Sequence, residues 1–155
     1  MISEIEIEAA EIKKIYSKNE TSEFEKTWIN TFCKNKQGAN TKDYKWHIFS
    51  FDKYPSISGE KAKIKYFEQM APEYIVLSNS NELAIETKKL PVNCNLSDYY
   101  VFPKNLAWTM AFTHEEGWYG PYFAKHPEYD LLTERNLMRI QKNKEMQMAK
   151  ENGWI

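Results

Sequence analysis

Tyr74-Ile75-Val76-Leu77-Ser78-Asn79-Ser80-Asn81-Glu82-Leu83-Ala84-Ile85-Glu86-Thr87 sets the fold class. Four apolar and aromatic residues run together, a tract of serine and asparagine follows, and Leu83 and Ile85 then alternate with polar neighbours. Serine and asparagine side chains bond nearby backbone groups and tolerate turn conformations, so the tract predicts a hairpin between strands over 73–78 and 82–88. Downstream, Tyr99-Tyr100-Val101-Phe102 and Ala107-Trp108-Thr109-Met110-Ala111-Phe112-Thr113 flank Pro103-Lys104-Asn105 and predict two more strands, over 99–102 and 107–113. Upstream, Tyr44-Lys45-Trp46-His47-Ile48-Phe49-Ser50-Phe51 has the same composition and predicts a strand over 44–51.

Helical spacing brackets these strands. Phe24, Trp28, Ile29 and Phe32 predict a helix over 23–34, opened by a capping box of Ser22 and Glu25. A second helix is expected over 60–70, with Ala62, Ile64, Tyr66, Phe67 and Met70 available for its inner side. A long helix is expected over 131–152, stopped by Gly153 and packed along a narrow stripe or projecting. Residues 35–42 read as a loop, Ile5-Glu6-Ile7-Glu8 alternates as an edge strand does, and 8–18 fits strand or helix equally. The expected architecture is a single α+β domain over 1–155: a mainly antiparallel sheet of four to six strands with flanking helices, and 127–155 as a C-terminal helical extension. Its core should include Trp28, Trp46, Phe49, Phe67, Ile75, Leu77 and Trp108.

Charge excludes several function classes. The chain carries 21 basic and 22 acidic residues, and its arginines number two, Arg135 and Arg139. That balance argues against nucleic acid, whose phosphates and guanine edges are read mainly by arginine. No apolar run approaches the roughly 18 to 20 residues that span a bilayer, which argues against a membrane protein. The opening Met1-Ile2-Ser3-Glu4-Ile5-Glu6 is acidic where a secretion signal is basic, and two cysteines, Cys33 and Cys94, are too few for a disulfide framework. A cytoplasmic protein is expected.

The densest polar and aromatic pattern is His114-Glu115-Glu116-Gly117-Trp118-Tyr119-Gly120-Pro121-Tyr122-Phe123, placed where a strand should end. Shaped loops at strand ends are common binding sites, and His114, Glu115, Trp118, Tyr119, Tyr122 and His126 are the candidate binding residues. An enzyme would use His114 with Glu115 or Glu116 as an acid/base pair, or His114 with His126 on a metal. The spacing matches no metal motif, nucleophile elbow or phosphate loop, so no catalytic residue, metal ligand or cofactor is assigned. His114 is expected to serve architecture first, anchoring the following turn through a hydrogen bond. His47 reads as a core or sheet-surface histidine, both cysteines as idle thiols, and Arg135, Arg139 and Lys142 as a solvated basic stripe.

Trp46-His47-Ile48-Phe49-Ser50-Phe51 with Gly59-Glu60-Lys61-Ala62 and Phe67 resembles a bacterial family, domain of unknown function 4275. Tyr100-Val101-Phe102, Trp108-Thr109, Thr113-His114-Glu115 and Gly120-Pro121-Tyr122-Phe123 extend the resemblance, which covers roughly residues 22–125. It implies a small soluble bacterial protein and brings no established reaction. The residues favour a binding or protein-interaction module, of the immunity or accessory type, with a protein partner. The alternative is a small enzyme built on His114 and Glu115 or Glu116.

Overall fold

A computed structural model describes residues 7–8, 11–34, 44–80, 82–114 and 120–153. In chain order the elements are β1 (Ile7–Glu8), β2 (Ile12–Ile15), α1 (Lys18–Phe32), α2 (His47–Ser50), β3 (Ile57–Ser58), α3 (Gly59–Phe67), β4 (Tyr74–Ser78), β5 (Ala84–Thr87), β6 (Asn93–Cys94), β7 (Tyr99–Pro103), β8 (Trp108–Phe112), β9 (Tyr122–Lys125) and α4 (Tyr129–Glu151). Seven strands form one antiparallel sheet in the order β2-β5-β4-β7-β8-β9-β3, and β1 pairs separately with β6. The fold is α+β, as expected.

Both faces of the sheet are covered. Ile75, Leu77, Tyr100, Phe102, Ala111, Tyr122 and Ala124 pack with Trp28 and Phe32 of α1 and Ile48 and Phe49 of α2. The alternate positions Tyr74, Val76, Tyr99, Val101, Met110 and Phe123 pack with Ala62 and Tyr66 of α3 and Leu132 of α4. Successive side chains on a strand point to opposite faces. Covering both faces therefore demands unbroken apolar runs, which is why Tyr74–Leu77 and Tyr99–Phe102 lack polar alternation.

Residues 44–51 are not a strand. They form a turn and the short helix α2, with Trp46 and Phe49 buried and Phe51 exposed. Trp46 and Phe49 are three apart, so one helical turn brings both onto the same core. Burial of those rings outweighs the β propensity of the run. The N-terminal cap also moves. Ser17 and Glu20 make the capping box, with the Glu20 N–H donating to Ser17 Oγ at 3.2 Å and the Ser17 N–H to Glu20 Oε1 at 3.3 Å. The same spacing recurs one turn and a half before Ser22, so Ser22 and Glu25 lie inside α1.

Six of the seven expected core residues are buried, and Phe67 is the exception at 53% exposure. The inner stripe of α3 is Ala62 and Tyr66, four apart, with the Tyr66 hydroxyl donating to the Pro91 carbonyl. Phe67 is turned about 100° from Tyr66 and faces outward. Ile64, also on the outer side of the helix, and Met70, which lies beyond the helix end, are exposed too. Within the ambiguous span, Ile12–Ile15 is an edge strand paired with β5. Of the N-terminal alternation, Ile7 and Glu8 pair with Cys94 and Asn93, and Ile5 and Glu6 lie outside the described residues, as does all of 35–42.

The long helix packs through its first turns. Leu132 and Asn136 are buried, Asn136 Nδ2 donates to Asn105 Oδ1, and Arg139 forks onto Glu73 at 2.8 and 3.4 Å. Arg139 stays 54% exposed, in keeping with the solvated stripe, while its guanidinium reaches the buried Glu73. Beyond Arg139, Met146 and Met148 are exposed, and Gly153 takes a positive φ of 71° just past the helix end.

One buried charge crosses the sheet edge. Glu86 on β5 is 2% exposed, accepts a hydrogen bond from the Tyr16 hydroxyl, and pairs with Lys104 at 2.7 Å and Lys13 at 3.2 Å. Burial alone would raise its pKa, but the bonds from Lys104, Tyr16 and Lys13 overcome that and hold it at about 2. Its folded pKa lies below the unfolded value, so the stabilisation is full above about pH 4.5 and is lost as pH falls toward 2. With both lysines partly exposed, Glu86→Gln should cost on the order of 2 kcal/mol at pH 7. Urea unfolding of the two proteins should show that gap closing in acid. A gap of constant size would mean that shape, not charge, holds this edge.

Candidate functional site

The register of the central strands assembles a polar cluster at one sheet end. Ser78 at the end of β4 pairs with Tyr99 at the start of β7, and Tyr99 with Phe112 at the end of β8. One residue beyond each, Asn79, Asp98 and Thr113 converge, with His114 following. The Asn79 N–H donates to the Asp98 carbonyl at 3.2 Å, tying two of these corners together.

Asp98 is the hub. Its carboxylate accepts the His114 backbone N–H at 3.1 Å, lies 2.9 and 3.0 Å from His114 Nδ1, and accepts the Trp46 indole N–H at 2.9 Å. The Asp98 side chain is 11% exposed and that of His114 37%. A carboxylate at Nδ1 fixes the ring orientation and directs the neutral tautomer to carry its lone pair on Nε2. His114 is thus held by a hydrogen bond whose partner comes from sixteen residues upstream, while most of the turn it is expected to anchor lies outside the described residues. Glu115 and Glu116 lie outside the described residues, as do Gly117, Trp118 and Tyr119.

Behind the dyad sits a second, drier network. Tyr100 donates its hydroxyl hydrogen to Asn79 Oδ1 at 2.6 Å and accepts the Trp46 backbone N–H at 3.1 Å. The Lys45 ammonium donates to the Asn79 carbonyl at 2.9 Å and lies 5.7 Å from the Tyr100 ring centre. Burial lowers the Lys45 pKa and pushes the Tyr100 hydroxyl well up.

In front, aromatic rings form a half-exposed row. The His114 ring lies 5.0 Å from Tyr44, Tyr44 lies 5.5 Å from His47, and His47 lies 5.4 Å from the exposed Phe51. Trp46 backs the row, 4.6 Å from His47 and 6.2 Å from His114. His47 thus stands on a helix and belongs to this row, rather than to a strand.

Two candidates fall elsewhere. Tyr122 is 6% exposed and stacks on Trp46 at 6.2 Å, so it supports the row from beneath. His126 sits at the opposite end of β8 and β9, where Lys125 pairs with Trp108, and its backbone N–H donates to the Ala107 carbonyl. Roughly 20 Å of strand separates it from His114, so the two do not share a metal. Among the described residues no group of three or more His, Cys, Asp or Glu is placed to hold one. Gly120 adopts φ +89°, and a Cβ there would meet Tyr122 at 3.0 Å and Thr113 at 3.1 Å, which ties the return of the loop to glycine. Cys33 is buried at the end of α1, and burial raises the Cys94 thiol pKa, which disfavours its thiolate.

Sequence reasoning missed Asp98, Tyr44 and Phe51. The signal for Asp98 was weak: an acid directly before an aromatic strand, joined to His114 by strand register and by no local spacing.

The family profile described as Domain of unknown function (DUF4275) matches residues 3–123, which contain the whole of this cluster and stop short of α4. No curated protein and no solved structure matches the chain. The description of the family names no reaction. By that match, the chain belongs to the DUF4275 family.

Proposed function

We propose that this chain is a binding module that engages a protein partner through the sheet end around His114. The observation that carries the reading is the half-exposed row of His114, Tyr44, His47 and Phe51 held on a buried frame of Trp46 and Asp98. Rigid aromatic rings offer large contact area at little entropic cost, and such residues dominate protein contact surfaces. Glu115, Trp118 and Tyr119 follow His114 directly and would extend the contact, with Tyr122 supporting it. The reading extends to a small bacterial cytosolic protein of the immunity or accessory type with no nucleic-acid partner, and the balanced charge and two arginines support the last point. Among the described residues no helix is long and apolar enough to cross a membrane.

A second reading draws on the Asp98–His114 bond, which is also the arrangement that orients a general base. Here the carboxylate of an acid/base pair would be Asp98, in place of Glu115 or Glu116. One experiment separates the two. A photo-crosslinking residue is placed at Phe51, and a control at Ile64, exposed on α3. A binding module should give one adduct of defined mass in cells from the Phe51 position, absent from Ile64 and lost in Tyr44→Ala with the melting temperature held. Equal labelling from both positions, or none from either, would count against the module.

A further inference from the structure

We infer that a cavity beside the β3 edge of the sheet binds a hydrocarbon-bodied carboxylate, such as a medium-chain fatty acid. The cavity, of about 700 Å³, is remote from the His114 cluster and falls within the size of small-molecule sites. Tyr54, Pro55, Ile57, Phe123 and Pro127 supply its apolar walls. Ile57 pairs with Phe123 across β3 and β9, so both side chains share the face that carries α3 and α4. Lys125, two residues beyond Phe123, projects to that same face. The Tyr54 hydroxyl donates to the Lys125 carbonyl and pins the wall.

The polar part of the lining is cationic. Lys65 from α3 and Lys125 from β9 both line the cavity, and both ammonium groups approach the Tyr129 ring, at 5.9 and 4.6 Å from its centre. Among the described residues no carboxylate lines the cavity. Lys65 shares the exposed Glu68 at 3.7 Å, and among the described residues no carboxylate lies in ion-pair range of Lys125. Two cations lining the same apolar cavity complement an anionic head on an apolar body. Apart from the Tyr54 hydroxyl, already committed to the Lys125 carbonyl, Ser56 is the one uncharged polar side chain among the described residues of the lining. Nothing there reads heteroatoms along the body of a ligand, so the body should be hydrocarbon. Ile57 fits the same account, because an isoleucine 41% exposed on an edge strand gains from an apolar cover.

Sodium decanoate, titrated into the full chain below its micelle concentration and followed by amide chemical shifts, tests this. Saturable shifts should centre on Ile57, Phe123 and Lys125, and affinity should rise at least about twofold per methylene from hexanoate to decanoate. Changing Lys65 and Lys125 together to alanine should weaken decanoate about tenfold or more, with 1-decanol affected less than about twofold. Shifts centred elsewhere, an unchanged affinity in the double variant, or equal binding of decyltrimethylammonium would overturn the assignment. So would the absence of saturation by about 1 mM decanoate, a concentration at which even weak sites fill.

Discussion

Trp108→Ala should lower the free energy of unfolding by about 3–5 kcal/mol, the range for a fully packed tryptophan. Trp108 is 1% exposed and sits at the centre of the layer between the sheet and α3. Its ring stacks on Phe123 at 5.6 Å, meets the edge of Tyr66 at 5.8 Å and lies 6.3 Å from Tyr74. These neighbours have little freedom to fill the space an alanine would leave. Tyr66 is tied through its hydroxyl to the Pro91 carbonyl, Tyr74 accepts the Ala71 N–H, and Phe123 is held in register between β8 and β3. The upper half of the range is therefore expected, because the cost grows with the cavity that remains. Equilibrium unfolding in urea measures it. A loss under about 1 kcal/mol would show that the layer closes over the gap and that its packing is plastic.

What could be read in advance depended on how local each signal was. Strands β4, β5, β7 and β8 were readable because burial on both faces makes runs such as Tyr99 to Phe102 apolar along their whole length, and a turn tract separates each pair. The stretch 44–51 has the same composition for a different reason. Trp46 and Phe49 plug the end of the α1 layer from a single helical turn, and composition alone does not separate those two uses. Phe67 was misplaced because α3 is short, and nothing local says that Ala62 and Tyr66 set its inner face. Strand β9 lay hidden inside a segment that reads as a loop, since Gly120 and Pro121 directly precede Tyr122. The candidate site divides in the same way. His114 stood out by its dense neighbourhood, whereas its partner Asp98 is supplied by register across β7 and β8, a non-local property.

That division of labour forecasts an order of stabilities: Asp98→Ala should cost about 3 kcal/mol and His114→Ala about 1 kcal/mol. Asp98 accepts from three donors, and one of them, the indole N–H of Trp46, belongs to a residue 2% exposed. Removing the carboxylate takes an acceptor from a donor that water reaches poorly, and it also frees the backbone corner at His114. Removing the imidazole leaves Asp98 its bonds to Trp46 and to the residue 114 backbone, and the lost ring was already more than a third exposed. Asp98→Asn should fall between, because the amide oxygen still accepts from Trp46 while the charge is gone. Unfolding curves of the three variants at neutral pH give the order directly. Should His114→Ala cost as much as Asp98→Ala, the histidine would be the architectural element and the carboxylate its support. With the expected order, the frame is Trp46 and Asp98, and the His114 ring rides on it at small cost to the fold. That outcome, a ring firmly held yet dispensable for stability, would support the proposed partner contact at His114.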